Sequence, residues 1–273
     1  MSAIHTLRML WAASLLLAWP VAAAVTELRC VGTEFTTLTR NTPDGPRGFA
    51  LDILTELGKR AGFHCNVDLL PWKRAQALVA RNEADLLIGP YRTHLREHDM
   101  AYLSRPFYFD DALFFGLAKV PFTWDGQIAS LPRQQVAMVR GWTLGERFEA
   151  FRNQLNLVEV DSSDQALRLL LTGRISLVAG NERDFAPRIA KPEFSAIKPV
   201  QPHIQNSAGY FALSNKWRGS PLLARMDEAM LQMVNSGYLL AQSRAAGLNF
   251  PDTRFDWASY VAKELDAPAG ASK

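Results

Sequence analysis

Arg96 stands three residues after Thr93, in a polar stretch that reads Gly89-Pro-Tyr-Arg-Thr-His-Leu-Arg96. A guanidinium meets a carboxylate with two parallel hydrogen bonds and keeps its charge at any relevant pH. Arg96 is therefore the first candidate for holding an anion, and Thr93 can orient its loop or donate a hydroxyl. Two flat aromatics, Trp72 and Tyr91, are candidates for the walls of a cleft, since such rings bury much area and order few torsions. Trp72 opens a helix, so a place in the core fits it equally well. Gly141-Trp142-Thr143 precedes a helical pattern, where free N–H groups attract anions; an ordinary capped turn fits the same residues. Arg74 and Arg92 read as surface charges. His94 and His98 have the i, i+4 spacing of a metal pair, but no third ligand accompanies them, so neither a metal nor a cofactor is expected. The chain has no G-x-S-x-G, no H-E-x-x-H and no Walker loop.

The elements that must position these groups begin at Gly48. Phe49, Ile53, Leu54, Leu57 and Ala61 share one face of a 3.6-residue period, and Gly62 can end that helix in a left-handed conformation without a Cβ clash. A strand from His64 to Leu70 stops at Pro71, a helix runs from Trp72 to Asn82, and Ala84–Ile88 is a short apolar run of the kind buried on both faces of a sheet. Alternating strands and helices imply a layered α/β domain with parallel pairing. In such sheets ligands sit beyond the carboxyl ends of the strands, here Pro71-Trp72 and Gly89–Arg96.

A second α/β unit follows. Its strands are Gln135–Val139, Leu157–Val160 and Ile175–Ala179, the last leading into Gly180-Asn181-Glu182. One helix carries Phe148, Phe151 and Leu155; another is opened by Ser162 and Gln165 as a capping box and ends at Gly173. Ser207–Ser214 reads as a returning strand. Ser220 and Pro221 then open a helix with Leu222, Met226, Met230, Met233 and Val234 on one side, stopped by Gly237.

The chain has 273 residues, 48% apolar and 21% charged, which is enough for a real core and excludes a disordered chain. The formal charge of +3, with no basic run, argues against nucleic acid as a partner. Residues 1–24 read as a secretory signal peptide: His5 and Arg8, an apolar run from Met9 to Pro20, and Ala22-Ala23-Ala24 as the cleavage site. Cys30 follows Arg29 and lies beyond that site, so it is not a lipoprotein cysteine.

Six short pieces occur in a familiar order: Gly48-Phe49 with Asp52-Ile53; Trp72 after the second strand; Ala84-Asp85-Leu86-Leu87; Thr93-His-Leu-Arg96; and Leu103-Ser104-Arg-Pro106-Phe107-Tyr108, with the second unit behind them. In this they resemble the extracytoplasmic solute-binding proteins of family 3, the polar amino-acid type that serves bacterial ABC importers. The resemblance covers roughly residues 26–257. It implies a type II periplasmic-binding-protein-like fold, with two α/β lobes joined by a two-stranded hinge. The expected division is lobe 1 over 25–116, lobe 2 over 117–206, a return to lobe 1 with C-terminal helices over 207–260, and a tail over 261–273.

It also implies a role: a monomeric, periplasmic receptor, not an enzyme, that captures a small polar or anionic solute between its lobes and delivers it to an ABC permease. In the family the arginine of T-x-x-R clamps a carboxylate, which falls on Arg96, and the loop after the first strand carries an acidic or aromatic contact, which falls on Glu34 and Phe35. Thr143 matches a hydroxyl contact, with Gly89, Tyr91 and Trp142 beside it. Cys30 and Cys65 fall near the starts of neighbouring strands and are expected to pair in an oxidising compartment. Two departures stand out. Trp142 replaces a small residue. Asn181 stands where an aspartate usually receives the ligand's ammonium, so Glu34, Glu182 or Asp184 must compensate, or the ligand is not a standard α-amino acid. Two other roles fit the same pattern: a dehydratase-like enzyme with Glu34 or Glu182 as its acid, and a ligand-sensing module for a membrane partner.

Overall fold

The computed structural model describes residues 25–260 apart from 36, 121, 123, 128–130, 132–134, 253–254 and 258. The expected signal peptide and tail lie outside these residues. Nine strands form one continuous mixed sheet. β1 (Thr26–Gly32), β2 (Phe63–Leu69) and β3 (Leu86–Tyr91) pair in parallel, in the order β2-β1-β3. β5 (Tyr108–Leu117) and β9 (Ile197–Ser214) run antiparallel to each other through the middle of the sheet. β6 (Gln135–Val139), β7 (Asn156–Val160) and β8 (Leu177–Asn181) complete the order β2-β1-β3-β9-β5-β8-β6-β7, while short β4 (Met100–Tyr102) also pairs with β9.

Each half of the sheet has its own core, which defines the two lobes. In the first, α1 (Phe49–Ala61), α2 (Trp72–Ala80), α7 (Pro221–Asn235) and α8 (Tyr238–Ala245) cover the sheet, burying Ile53, Leu57, Val79, Met226 and Met233 against Val31, Leu87 and Phe211. In the second, alternate residues of β5 enter opposite layers. Leu113 and Phe115 pack with Leu167 and Phe185, from α5 (Ser163–Leu171) and α6 (Glu182–Ile189). Ala112 and Phe114 pack with Phe148 and Phe151 of α4 (Glu146–Phe151). That period of two is why Ala-Leu-Phe-Phe reads as apolar throughout. β5 and β9 are the two crossings between the cores. This is the expected class, two α/β lobes on a two-stranded hinge. Among the described residues no helix is long and apolar enough to cross a membrane.

Gly62 caps α1 at φ 78°, as its position suggested. Cys30 and Cys65 form a disulfide between β1 and β2 with Cα atoms 5.6 Å apart. Two expectations fall short. β9 starts at Ile197, ten residues before the strand read from Ser207. Pro199, Pro202 and the polar residues among them disguise it, because proline removes a ladder donor; β5 nevertheless pairs with this stretch at Lys198, Pro199 and Val200. The segment read as one polar loop from Gly89 is instead the end of β3 and a short helix, α3 (His94–Asp99).

Candidate functional site

The first wall of the site is set by how β3 turns into α3. Thr93 is buried and caps α3, its Oγ1 accepting from the Arg96 amide at 3.3 Å. This fixes the helical turn from which Arg96 projects. The half-buried Arg96 guanidinium donates from Nη1 to the Tyr91 carbonyl (3.2 Å), and from Nη2 to Gln76 Oε1 (2.9 Å) and the Gly141 carbonyl (3.4 Å). It also lies over the Trp72 ring, 5.8 Å from its centre. All three acceptors are neutral. Glu97, the carboxylate next to it in the chain, pairs with Arg92 instead. Among the described residues Arg96 has no ion-pair partner.

The facing wall comes from the second lobe. Gly141 turns with φ 76°, and the Trp142 amide donates back to the Val139 carbonyl at 3.0 Å. Thr143 Oγ1 donates to Glu149 Oε1 (2.5 Å) and accepts from the Gly145 amide (3.2 Å). The helix expected directly after this turn starts only at Glu146, behind Gly145 at φ 105°, so Thr143 braces a turn and does not itself open the helix. Asn181 caps α6, its Oδ1 accepting from the Asp184 amide at 3.0 Å. The walls touch directly. Gln76 Nε2 donates to the Gly141 carbonyl (3.1 Å), and the Glu146 carboxylate meets the His94 amide and ring Nδ1, each at 3.2 Å. Phe35 packs against both Trp72 and Trp142, ring centres 5.5 and 5.8 Å away.

Between the walls is a void of about 20 Å³, lined by Phe35, Trp72, Gly89, Tyr91, Arg96, Trp142, Thr143 and Asn181, together with Tyr108 and Arg183. That is room for one water. Two larger grooves, of about 550 Å³ and 480 Å³, share lining residues with the void, and Trp142 lines all three. Eight of the ten residues singled out from the sequence thus converge. The other two do not reach the void. Thr93 lines the larger groove; Glu34 lines the smaller one, with Oε1 accepting from the Asn41 amide at 2.8 Å.

A buried ion pair at the site was not among the residues singled out from the sequence. Arg183 donates from Nε to Asp110 Oδ1 and from Nη2 to Asp110 Oδ2, both at 2.8 Å, while the Tyr91 hydroxyl donates to the same Oδ2 at 2.6 Å. The side chains of Arg183 and Asp110 are only 8% and 1% exposed, and the guanidinium is flanked by the Phe35 and Tyr108 rings. Burial works against the charge on Arg183, but the Asp110 carboxylate outweighs it and raises the Arg183 pKa. Burial also pushes both tyrosine hydroxyls upward, and the Asp110 charge adds to that, so Tyr91 and Tyr108 stay neutral donors. The one available signal was a pair of acids, Asp110-Asp111, inside an otherwise apolar strand.

No protein-family model matches the chain, and no curated protein matches it either. Solved structures do. A histidine kinase sensor domain with similarity to periplasmic binding proteins superposes with a TM-score of 0.72 at 18% identity, covering 84% of this chain and 99% of that one. A mutant ArgBP from T. maritima gives 0.67 at 17% identity, covering 81% and 95%. The substrate-binding protein of an amino acid ABC transporter gives 0.65 at 16% identity, covering 80% and 98%. At these identities the likeness shows the fold: the periplasmic-binding-protein-like α/β architecture.

Proposed function

We propose that this protein is a solute-binding receptor that captures a small polar or anionic solute between its lobes and hands it to an ABC permease. The observation that carries this reading is Arg96, a half-buried guanidinium on an interlobe void, held by three neutral acceptors and facing aromatic walls. A cation fixed in place but not neutralised is a ready partner for a carboxylate. Binding would favour the closed lobes through the extra contacts a solute makes there. The disulfide supports an oxidising, extracytoplasmic location, in keeping with the leader read at residues 1–24 and its cleavage after about Ala24. The likeness to the solved substrate-binding protein of an amino acid ABC transporter supports the permease as partner. Enzymatic dehydration has less support: Glu34 is turned to the Asn41 amide, and Glu182 sits beside Asp111 and His203 and is not among the residues that line the void.

A sensing role is the second reading, favoured by the likeness to the kinase sensor domain. Both readings need a bound solute. The test is thermal melting and tryptophan fluorescence against a panel of amino acids and carboxylates. A saturable shift below millimolar concentration supports the receptor; the absence of any shift at millimolar concentration speaks against both readings.

A further inference from the structure

We propose that the solute carries a carboxylate and no ammonium group: an apolar or aromatic monocarboxylic acid, not an α-amino acid. This rests on the receptor reading and narrows it. The charges on the void are two guanidiniums and no carboxylate. Asp110 already neutralises Arg183, with both of its oxygens engaged. That leaves one unbalanced positive charge, on Arg96, which suits a single anionic group.

Among the described residues, no carboxylate lines the void to receive an ammonium group. The sequence offered three acids to replace the aspartate missing at position 181. Glu34 faces the Asn41 amide, Glu182 clusters with Asp111 and His203, and Asp184 accepts from Ser163 Oγ (2.5 Å) and from Arg188 Nε (3.2 Å) and Nη2 (3.1 Å). The carbonyls at the void already accept hydrogen bonds from the protein. Those of Tyr91 and Gly141 accept from Arg96; that of Tyr91 also accepts from the Tyr102 hydroxyl (3.0 Å), and that of Gly89 from the Tyr108 hydroxyl (2.7 Å). The rings of Trp72, Phe35 and Tyr108 already carry a guanidinium over them. In the larger of the two flanking grooves, Glu146 is taken by His94, and Glu149 by Thr143 and Arg152. A buried ammonium left without a partner keeps its full desolvation cost. The five aromatic side chains on the void, by contrast, favour an apolar tail on the acid.

The test uses matched pairs that differ only in the α-ammonium: propionate with alanine, 4-methylpentanoate with leucine, 3-phenylpropionate with phenylalanine. The protein is denatured with its disulfide intact and refolded to remove co-purifying solute, then titrated calorimetrically. The expected result is that at least one acid binds while its amino counterpart binds ~100-fold more weakly or not at all. An amino acid that binds as well as its matched acid overturns this inference and leaves the receptor reading standing. If neither class binds at millimolar concentration, both are overturned.

Discussion

The ion pair under the void makes the sharpest energetic prediction. Asp110→Ala removes the carboxylate that binds the buried Arg183 guanidinium through two hydrogen bonds, and strips the Tyr91 hydroxyl of its acceptor. With the two side chains 8% and 1% exposed, solvent screens almost none of this. Removing one partner of a buried pair costs about 3–5 kcal/mol, and the orphaned hydroxyl adds roughly 1 kcal/mol. For a chain of this length each kcal/mol lowers the melting temperature by roughly 2–4 °C. Urea unfolding followed by circular dichroism measures the loss directly. A second variant, Asp110→Ala with Arg183→Met, removes both charges, and replacing both members of a buried pair by apolar groups is close to neutral. It is therefore expected to recover most of the stability. The reasoning is refuted if the single substitution costs less than about 1 kcal/mol, or if the double variant is as unstable as its two single substitutions added together. Either outcome would mean that Arg183 is not committed to Asp110, and the assignment of Arg96 as the solute-facing cation would lose its basis.

Three further predictions concern the frame. Reducing the Cys30–Cys65 bridge, or replacing both cysteines by serine, is expected to cost about 3–4 kcal/mol, because 35 residues separate the two; melting with and without dithiothreitol measures it. A Cβ on Gly209 would lie 1.8 Å from Tyr108 Cε1, so Gly209→Ala should destabilise the protein by roughly 1–3 kcal/mol and alter near-ultraviolet dichroism from the displaced ring. Asp85 accepts from Lys216 Nζ at 2.7 Å, Trp217 Nε1 at 2.8 Å and the Arg29 amide at 2.8 Å. Burial raises its pKa, but these donors outweigh it and the net shift is downward. A carboxyl lowered in the folded state contributes stability above its unfolded pKa and loses it as pH falls through the folded value. The gap in stability between wild type and Asp85→Asn should therefore be full near neutrality and close below about pH 4; a gap that persists at low pH would contradict this.

The fold was legible wherever a local pattern carried it. The apolar face from Phe49 to Ala61 with Gly62 behind it, and the short run at Ala84–Ile88, each pointed to an element, although the strand itself runs from Leu86 to Tyr91. β9 was half-hidden because its first residues, Ile197-Lys-Pro-Val200, pair with β5 in a register that no local pattern reveals. The site divides in the same way. Residues at strand ends, such as Tyr91, Trp142 and Asn181, could be placed from their position beyond the strands. Arg183 and Asp110 are 73 residues apart and meet only because α6 and β5 are packed together. Glu97 shows the same limit at short range, since it lies beside Arg96 in the chain yet pairs with Arg92.

The most direct measurement of the central claim is a crystal structure of the protein with a solute that binds it. The account expects a carboxylate of that solute within hydrogen-bonding distance of the Arg96 guanidinium, between Trp72 and Trp142, with the Asp110–Arg183 pair still intact behind it. A solute bound elsewhere, or one in the cleft that leaves Arg96 on its present carbonyl and amide partners, would contradict it.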